Sequence, residues 1–394
     1  MSLCAKCKGN LLCGRVKCPL LQKFRFARAD IAEGSIEKPT PPSAFIGRIG
    51  YPKVFVGPLV ATTDFEPEYL DSPWLWKGSV DDIIRLRVSL VRGMRKVDVD
   101  VSDPDRFLLN LQEATASTRH VDVETEISKV IKRPLFDDVT QPMGIAAQIN
   151  SMKLAENPKI PDKVEKVYYD DLKAVEAVRY LFDSGFNTYY IQKVFSVGML
   201  GEKDNRKLVP TRWSITAVHD ILGEEIKKEI VDFESVNTCM LFHYEHFGNH
   251  FEVILSPGNY SFQLVEIWVK KSFWSPNSTW IGYDREDISK KKEYSELSGG
   301  YYAARLPVLE YLRKIRRKAS VIVIREIKPE YYAPLGVWVV EEGVRKALTS
   351  KPEVCESVSE AVEKAATRIK TDKRKWMTYL SSHCQSSLLE FMNV

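Results

Sequence analysis

Four cysteines lie within the first eighteen residues, spaced Cys4-x2-Cys7-x5-Cys13-x4-Cys18. A tetrahedral zinc ion takes four soft thiolate ligands, and short spacings of this kind bring them onto one centre. Gly9 and Gly14 permit the backbone turns that so tight a loop needs. With all four positions filled by protein, the zinc is expected to be structural rather than catalytic. Two local disulfides are the alternative. The remaining cysteines, Cys239, Cys355 and Cys384, are isolated in sequence, which suits a reducing compartment and argues against that alternative.

A second set of residues suggests a different chemistry. Leu241-Phe-His-Tyr-Glu-His-Phe247 and His250-Phe-Glu-Val-Ile-Leu255 flank Gly248-Asn249, which predicts a hairpin with a two-residue turn. In that register Phe247 faces His250, Glu245 faces Glu252 and His243 faces Ile254. Alternation along each strand places His243, Glu245, His250 and Glu252 on one face, and Tyr244, His246, Phe251 and Val253 on the other. Two imidazoles and two carboxylates on one surface are candidates for a second divalent metal and for catalysis, with Arg212, Asp220 and Arg305 as outside contributors. The same four residues also read as a solvated face whose glutamates are balanced by histidines.

The elements that must position these groups follow from periodicity. Pro39-Thr-Pro41-Pro42 reads as a linker. Ile49 to Pro58 alternates like a strand, and Ser72-Pro73-Trp74-Leu-Trp76 is a tryptophan-rich loop. Helices are predicted from Val80 into Arg92, with Arg85 and Arg87 near Asp81 and Asp82, and from Pro104 to Ser117 behind an Asp103 N-cap. The proline-rich stretch 133–163 reads as an irregular connection. Helices are then expected over Lys163–Phe182, from Thr188, and over Ser214–Glu229. The hairpin precedes a strand from Phe262 to Val269, a polar stretch over 271–300, and a helix from Tyr301 to Lys318. Strands at Val321–Ile324 and Pro334–Val340 and a long helix over Ser357–Tyr379 complete the chain. Strands and helices intermingle without regular alternation, so the expected fold is α+β, with mixed helices and a largely antiparallel sheet. The expected divisions are a zinc knuckle (1–28), a main α+β domain (43–285), a C-terminal basic α/β region (286–380) and an exposed tail (381–394).

The chain has 394 residues, of which 44% are hydrophobic, 11% aromatic and 28% charged, with a net charge of +4. That composition belongs to a soluble globular protein. No apolar run approaches the ~18 residues of a membrane helix, and no secretory signal opens the chain, so a cytoplasmic location is expected. With so modest a net charge, nucleic-acid binding would come from local patches. Lys6, Lys8, Arg15 and Lys17 lie among seven bases that precede the first acid, Asp30. Arg313, Lys314, Arg316, Arg317 and Lys318 end a predicted helix, where they would grip a phosphate backbone or simply complement the helix dipole. Lys370, Lys373, Arg374 and Lys375 would extend that patch if the two segments met.

The chain closes with Gln385-Ser-Ser-Leu388-Leu-Glu-Phe391-Met392. In a single 3₁₀ turn residues three apart lie over one another, so Gln385, Leu388 and Phe391 would project as one plug widened by Met392. This resembles the PCNA-interacting peptide that docks on the sliding clamp, with Met392 in place of the second aromatic. The competing reading is a last helical stretch packed on the core through Trp376, Leu380, Cys384, Leu388 and Phe391.

Several segments together resemble the archaeal Nre family of DNA-repair proteins over nearly the whole chain. They are the four-cysteine N-terminus, Gly50-Tyr-Pro-Lys-Val-Phe-Val-Gly-Pro58, Asn157-Pro-Lys-Ile-Pro161 and Pro210-Thr-Arg-Trp-Ser-Ile-Thr-Ala-Val218. Asn249-His-Phe-Glu-Val-Ile-Leu255, Gly299-Gly-Tyr-Tyr-Ala-Ala-Arg305, Pro334-Leu-Gly-Val-Trp338 and the tail complete them. The resemblance implies a role in DNA-damage repair and a clamp-binding tail, and it implies no catalytic residues. The expected function is a zinc-containing DNA-repair factor held on PCNA and contacting DNA through its basic patches. The alternative is a metal-dependent repair nuclease or nucleotide-processing enzyme recruited by the clamp. A third reading is a small-molecule binder whose Trp- and Tyr-rich loops line a pocket.

Overall fold

The computed structural model describes residues 33–61, 66, 69–131, 144–289 and 291–380, together with 7, 10–12 and 18. The chain forms two compact units whose boundary in the body of the protein falls between Leu222 and Gly223. The fold is α+β, as expected, with a mixed sheet in each unit. No helix among the described residues is long and apolar enough to cross a membrane.

The first unit contains β1 (Gly34–Thr40), β2 (Ala44–Ile46), β3 (Lys53–Ala61), α1 (Val80–Val88), β4 (Leu90–Asp98), α2 (Arg106–Ala116), β5 (Val121–Ile131) and β6 (Ala146–Leu154). Then come α3 (Asp162–Tyr169), α4 (Ala174–Asp183), α5 (Thr188–Ser196) and α6 (Thr211–Ile230), the last of which ends in the second unit. Its six strands run in the order β1-β5-β6-β4-β3-β2, and only the β4–β6 pair is parallel.

Local chemistry sets the helix boundaries. Ser79 and Asp82 form a capping box on α1, and Asp105, rather than Asp103, caps α2. The predicted helix from Val80 to Arg92 stops at Val88. Arg92 belongs to β4 instead, buried with its guanidinium 4.6 Å from the Phe45 ring. Arg87 pairs with Asp71 at 3.0 Å, while Asp82 serves the cap. The predicted helix Lys163–Phe182 is two helices, broken where Asp171 takes a left-handed backbone with φ of 46°. Residues 144–163 are not an irregular connection, since they include β6.

The second unit contains β7 (Cys239–His246), β8 (Asn249–Ser256), β9 (Ser261–Trp268), β10 (Trp280–Asp287), α7 (Gly299–Ile315), β11 (Ser320–Ile327), α8 (Trp338–Ala347), β12 (Glu353–Cys355) and α9 (Val358–Arg368). The strand order is β10-β9-β11-β8-β7-β12, with β9 and β11 parallel. The expected division at residue 285 falls inside β10, which pairs with β9 over its whole length. Alternation gives the sheet two buried faces. Phe242, Phe251 and Phe262 face α7 and α8, where Phe262 meets Tyr301 and Phe242 meets Tyr311. Leu241, Ile254, Val265, Ile322 and Ile324 face α9 and the chain beyond it, in a core closed by Trp376 and Leu380.

Three expectations for this unit need correction. The polar stretch 271–300 contains β10. Pro334–Val340 is not a strand: Trp338 Nε1 donates to Leu335 O at 2.8 Å and Leu335 N to Tyr331 Oη at 2.9 Å, a turn that starts α8. The final helix ends at Arg368, and the chain continues through 3₁₀ turns at Lys373–Lys375 and Met377–Tyr379. This closing segment is pinned to the sheet. The buried Glu326 carboxylate accepts from Lys370 N (3.1 Å), Thr371 N (2.8 Å) and Thr371 Oγ1 (2.7 Å), and Gln263 Nε2 donates to Tyr379 O at 2.7 Å.

Candidate functional site

The hairpin exists, but its turn is Phe247-Gly248 rather than Gly248-Asn249. His246 pairs with Asn249, Glu245 with His250 and His243 with Glu252. Both turn residues have positive φ, 48° and 69°, the requirement of a two-residue type I′ turn. Phe247 accepts that backbone while its ring packs on Trp338, 5.5 Å between centroids. Asn249 is wholly buried, and its Oδ1 accepts from Arg325 Nε at 3.0 Å and Nη2 at 2.7 Å. Asn249→Ala should therefore destabilise the protein by about 2 kcal/mol, the value of hydrogen bonds to a charged group. A shift in urea midpoint worth less than about 0.5 kcal/mol would match an ordinary surface turn residue instead.

The true register differs from the expected one by two residues, and a shift of two preserves faces. His243, Glu245, His250 and Glu252 therefore do share one face, the one that looks toward α9. What they form there is a chain of close polar contacts between carboxylates and nitrogen bases. Lys328 Nζ lies 2.6 Å from Glu245 Oε1, and His250 lies 3.3 Å from Glu245 and 2.7 Å from Glu252. Arg368 grips Glu252 with Nε at 2.7 Å and Nη2 at 2.9 Å, and reaches Glu353 at 2.8 Å. His243 closes the chain 3.7 Å from Glu353. Glu252 is fully buried and His250 nearly so, whereas Glu245 is 48% exposed. Partial burial alone would raise the Glu245 pKa, but the hydrogen bond and charge of Lys328, with His250, hold it below the usual carboxylate value. No group of three or more His, Cys, Asp or Glu residues among those described is arranged to hold a metal ion.

On the opposite face, Arg325 is bound by Glu266 at 2.6 Å and by Asn249, with the Trp268 ring 5.4 Å from its guanidinium. A Cβ placed on Gly300 would stand 3.1 Å from Glu266 Oε1. The start of α7 thus has a carboxylate of the protein beside it, a partner that favours the positive end of the helix dipole. His246 packs among Tyr244, Phe247 and Phe251, and neither ring nitrogen has a hydrogen-bond partner among the described residues. Burial, then the charges of Arg325 and Lys346, bring its pKa down to about 4. The folded value lies below the unfolded one, so the neutral ring's stability is complete above about pH 6.5 and is lost as pH falls toward 4. The loss should be on the order of 3 kcal/mol and should vanish in His246→Phe. Equal pH slopes in urea unfolding of the two proteins would refute it.

Arg305, proposed from sequence as an outside contributor, faces away from the hairpin's polar face. It is wholly buried on α7 and paired with Glu286 at 2.7 Å and Glu224 at 3.0 Å. Lys227 lies 2.9 Å from Glu224 and 3.5 Å from Glu286, and Tyr260 Oη donates to Glu286 at 3.2 Å. Burial, reinforced by Glu286, pushes the Tyr260 phenol well up, so it remains a donor. Sequence reasoning missed this cluster, and the buried Arg325 clamp with it. Arg212, exposed, and Asp220, half-buried, belong to the first unit.

The basic run is partly neutralised. Arg313 pairs with Glu229 at 2.7 Å and Arg317 with Glu234 at 3.7 Å, while Lys318 Nζ caps Val231 O at 3.0 Å. Lys314 and Arg316 remain exposed. The run ends α7, on one face of the sheet, whereas Lys370, Lys373, Arg374 and Lys375 follow α9 on the other, so the two segments do not form one patch. Lys373 pairs with Glu363 at 2.7 Å and Arg374 with Asp372 at 2.6 Å. In the first unit an open cleft of about 620 Å³ is lined by Arg95, Arg106, Phe107, Asn110 and Lys153. Two of its three bases are paired, Arg95 with Asp105 at 2.9 Å and Lys153 with Glu124 at 3.9 Å. None of the Trp- or Tyr-rich loops lines it.

Of the four cysteines, Cys7 is buried and Cys18 half-buried; Cys4 and Cys13 lie outside the described residues. So do Lys6, Lys8, Arg15 and Lys17, and the tail residues Gln385, Leu388, Phe391 and Met392.

Fold and site together define a two-unit α+β protein whose hairpin carries a chain of paired acids and bases on its polar face. Models of the archaeal Nre N-terminal and C-terminal regions match residues 12–275 and 286–391, and the chain belongs to the archaeal Nre family. It is 61% identical to the DNA repair protein NreA of Archaeoglobus fulgidus, across 98% of both chains. It is 36% identical to NreB of the same organism, across 99% of this chain and 100% of that one. NreA of Haloferax volcanii is 37% identical across 82% of this chain and 80% of its own. No solved structure matches the chain.

Proposed function

We propose that this protein is a cytoplasmic DNA-repair factor that docks on the PCNA sliding clamp through Gln385, Leu388, Phe391 and Met392. The observation that carries the repair role is the relative named a DNA repair protein, alike over 98% of both chains. The tail supports the clamp as partner: Gln385, Leu388 and Phe391 fall three residues apart, the spacing that lets them project as one plug from a single 3₁₀ turn. DNA is contacted by the exposed Lys314 and Arg316 and by the bases around the N-terminal cysteines. Four thiolates within fifteen residues suit structural zinc. Tethering raises the local concentration on DNA, so weak intrinsic affinity suffices. The nuclease reading is less favoured, because the hairpin carboxylates are already gripped by Lys328, His250 and Arg368.

The test is incubation of the full chain with labelled single-stranded, duplex, flap, nicked and abasic DNA. Magnesium or manganese is present or withheld, with and without loaded clamp. DNA binding that tightens with the clamp and yields no product is expected. Metal-dependent cleavage would establish the nuclease instead, and failure to bind any DNA would remove the DNA-contact reading.

A further inference from the structure

Two of the segments that mark the family are 160 residues apart in sequence and meet on the surface of the first unit. The loop between β2 and β3 exposes Arg48, Ile49 and Tyr51, and the first turn of α6 exposes Arg212 and Trp213. Tyr51 is 47% exposed and Trp213 is 45% exposed, and their rings lie 5.4 Å apart at an interplanar angle of 48°. Packing in the fold therefore leaves nearly half of each of these aromatic side chains open to solvent.

The pair is built into position. Ile46 N donates to Thr211 Oγ1 at 3.0 Å, tying the strand before the loop to the start of the helix. The loop tip closes through Lys53 N to Gly50 O at 2.9 Å. Gly50 has φ of 86°, and a Cβ there would stand 2.8 Å from Lys53 O, so only glycine makes this turn without strain. The turn holds Tyr51 outward beside Trp213. Arg48 and Arg212 are exposed and form no ion pair with a described residue. Lys53 is exposed too, with Asp98 opposite it in the β3–β4 register.

We propose that Tyr51 and Trp213 form a stacking platform for the unpaired bases of single-stranded DNA, with Arg48 and Arg212 holding the adjacent phosphates. Every base has a π-face, so aromatic stacking accepts any sequence, and flanking cations track the backbone. A duplex hides its base faces and offers the platform only phosphates. The excess of cations at the patch suits a polyanion. The inference rests on the DNA-contact reading above and names the form of DNA that this surface takes.

The test is fluorescence-anisotropy titration of full-length protein with a labelled oligodeoxythymidine strand and with a duplex of equal length. Trp213→Ala and Tyr51→Ala should each weaken single-strand binding about tenfold or more. Trp213→Phe, which keeps a stacking face, should stay within about threefold of the parent. Duplex affinity should change less than single-strand affinity in every variant. Both side chains are half exposed, so melting temperatures should hold and a folding defect would be visible as such. If the parent binds single strands and both alanine variants bind them equally well, the platform is overturned while DNA contact stands. If the parent binds no DNA, both readings fall.

Discussion

Arg305→Ala is expected to destabilise the protein by about 3–5 kcal/mol, the cost of leaving a buried charge without its partner. The guanidinium is wholly buried and shared by Glu286 at 2.7 Å and Glu224 at 3.0 Å, with the Tyr302 ring 5.4 Å away. Removing it leaves two carboxylates with Lys227 and Tyr260, among the described residues, to compensate. In a chain of this size the loss corresponds to a fall of roughly 10 °C in melting temperature. Arg305→Lys should recover part of it, since the contacts to Glu286 and Glu224 are both made by one nitrogen, Nη1, whose place an ammonium can take. Arg374→Ala is the control. Its pair with Asp372 sits in solvent, with the arginine side chain 85% exposed, and should matter by less than about 0.5 kcal/mol. A melting temperature within two or three degrees of the parent for Arg305→Ala would refute this account.

The Leu388→Ala/Phe391→Ala pair should weaken binding to the sliding clamp by about 100-fold or more and leave the melting temperature unchanged. Buried apolar anchors supply most of the affinity at such contacts, and losses above about 2 kcal/mol per anchor are common. Met392→Phe should tighten binding several-fold by restoring the second aromatic face. Surface-immobilised clamp titrated with the full chain measures all three proteins. Retained affinity in the double variant would dismiss the tail as a docking peptide. A lowered melting temperature would instead favour the helix-packing reading, in which Leu388 and Phe391 extend the core that Trp376 and Leu380 close.

Sequence made some of this legible and hid the rest for identifiable reasons. The polar hairpin face was readable because parity survives a two-residue error in register. The turn itself was misplaced because Asn249 beside Gly248 imitates turn chemistry, whereas its burial serves Arg325, 76 residues away. β10 escaped because an edge strand reading Trp-Ile-Gly-Tyr-Asp-Arg-Glu-Asp alternates weakly and is largely exposed. α8 escaped because its first residues, Trp338, Val339 and Val340, favour strands locally and are turned into a helix by packing on β7 and β8. Ion-pair partners are the least legible of all. Glu252 and Arg368 are 116 residues apart, and no local pattern joins them. The aromatic pair of the first unit was visible only as two separate motifs.

Under the proposed docking of the tail, the pinning of residues 370–380 would set the length of a leash. Trp376 is wholly buried and Tyr379 is held by Gln263, so the tail departs from a fixed point at Leu380 on the second unit. From Leu380 to Gln385 is five residues, which span at most about 18 Å when fully extended. A clamp holding the tail would therefore keep the second unit within one protein radius of its own surface. Such a tether confines the search to DNA next to the ring. Any pull along it would be borne by β9 and β11, through Gln263 and Glu326, rather than by a frayed terminal helix.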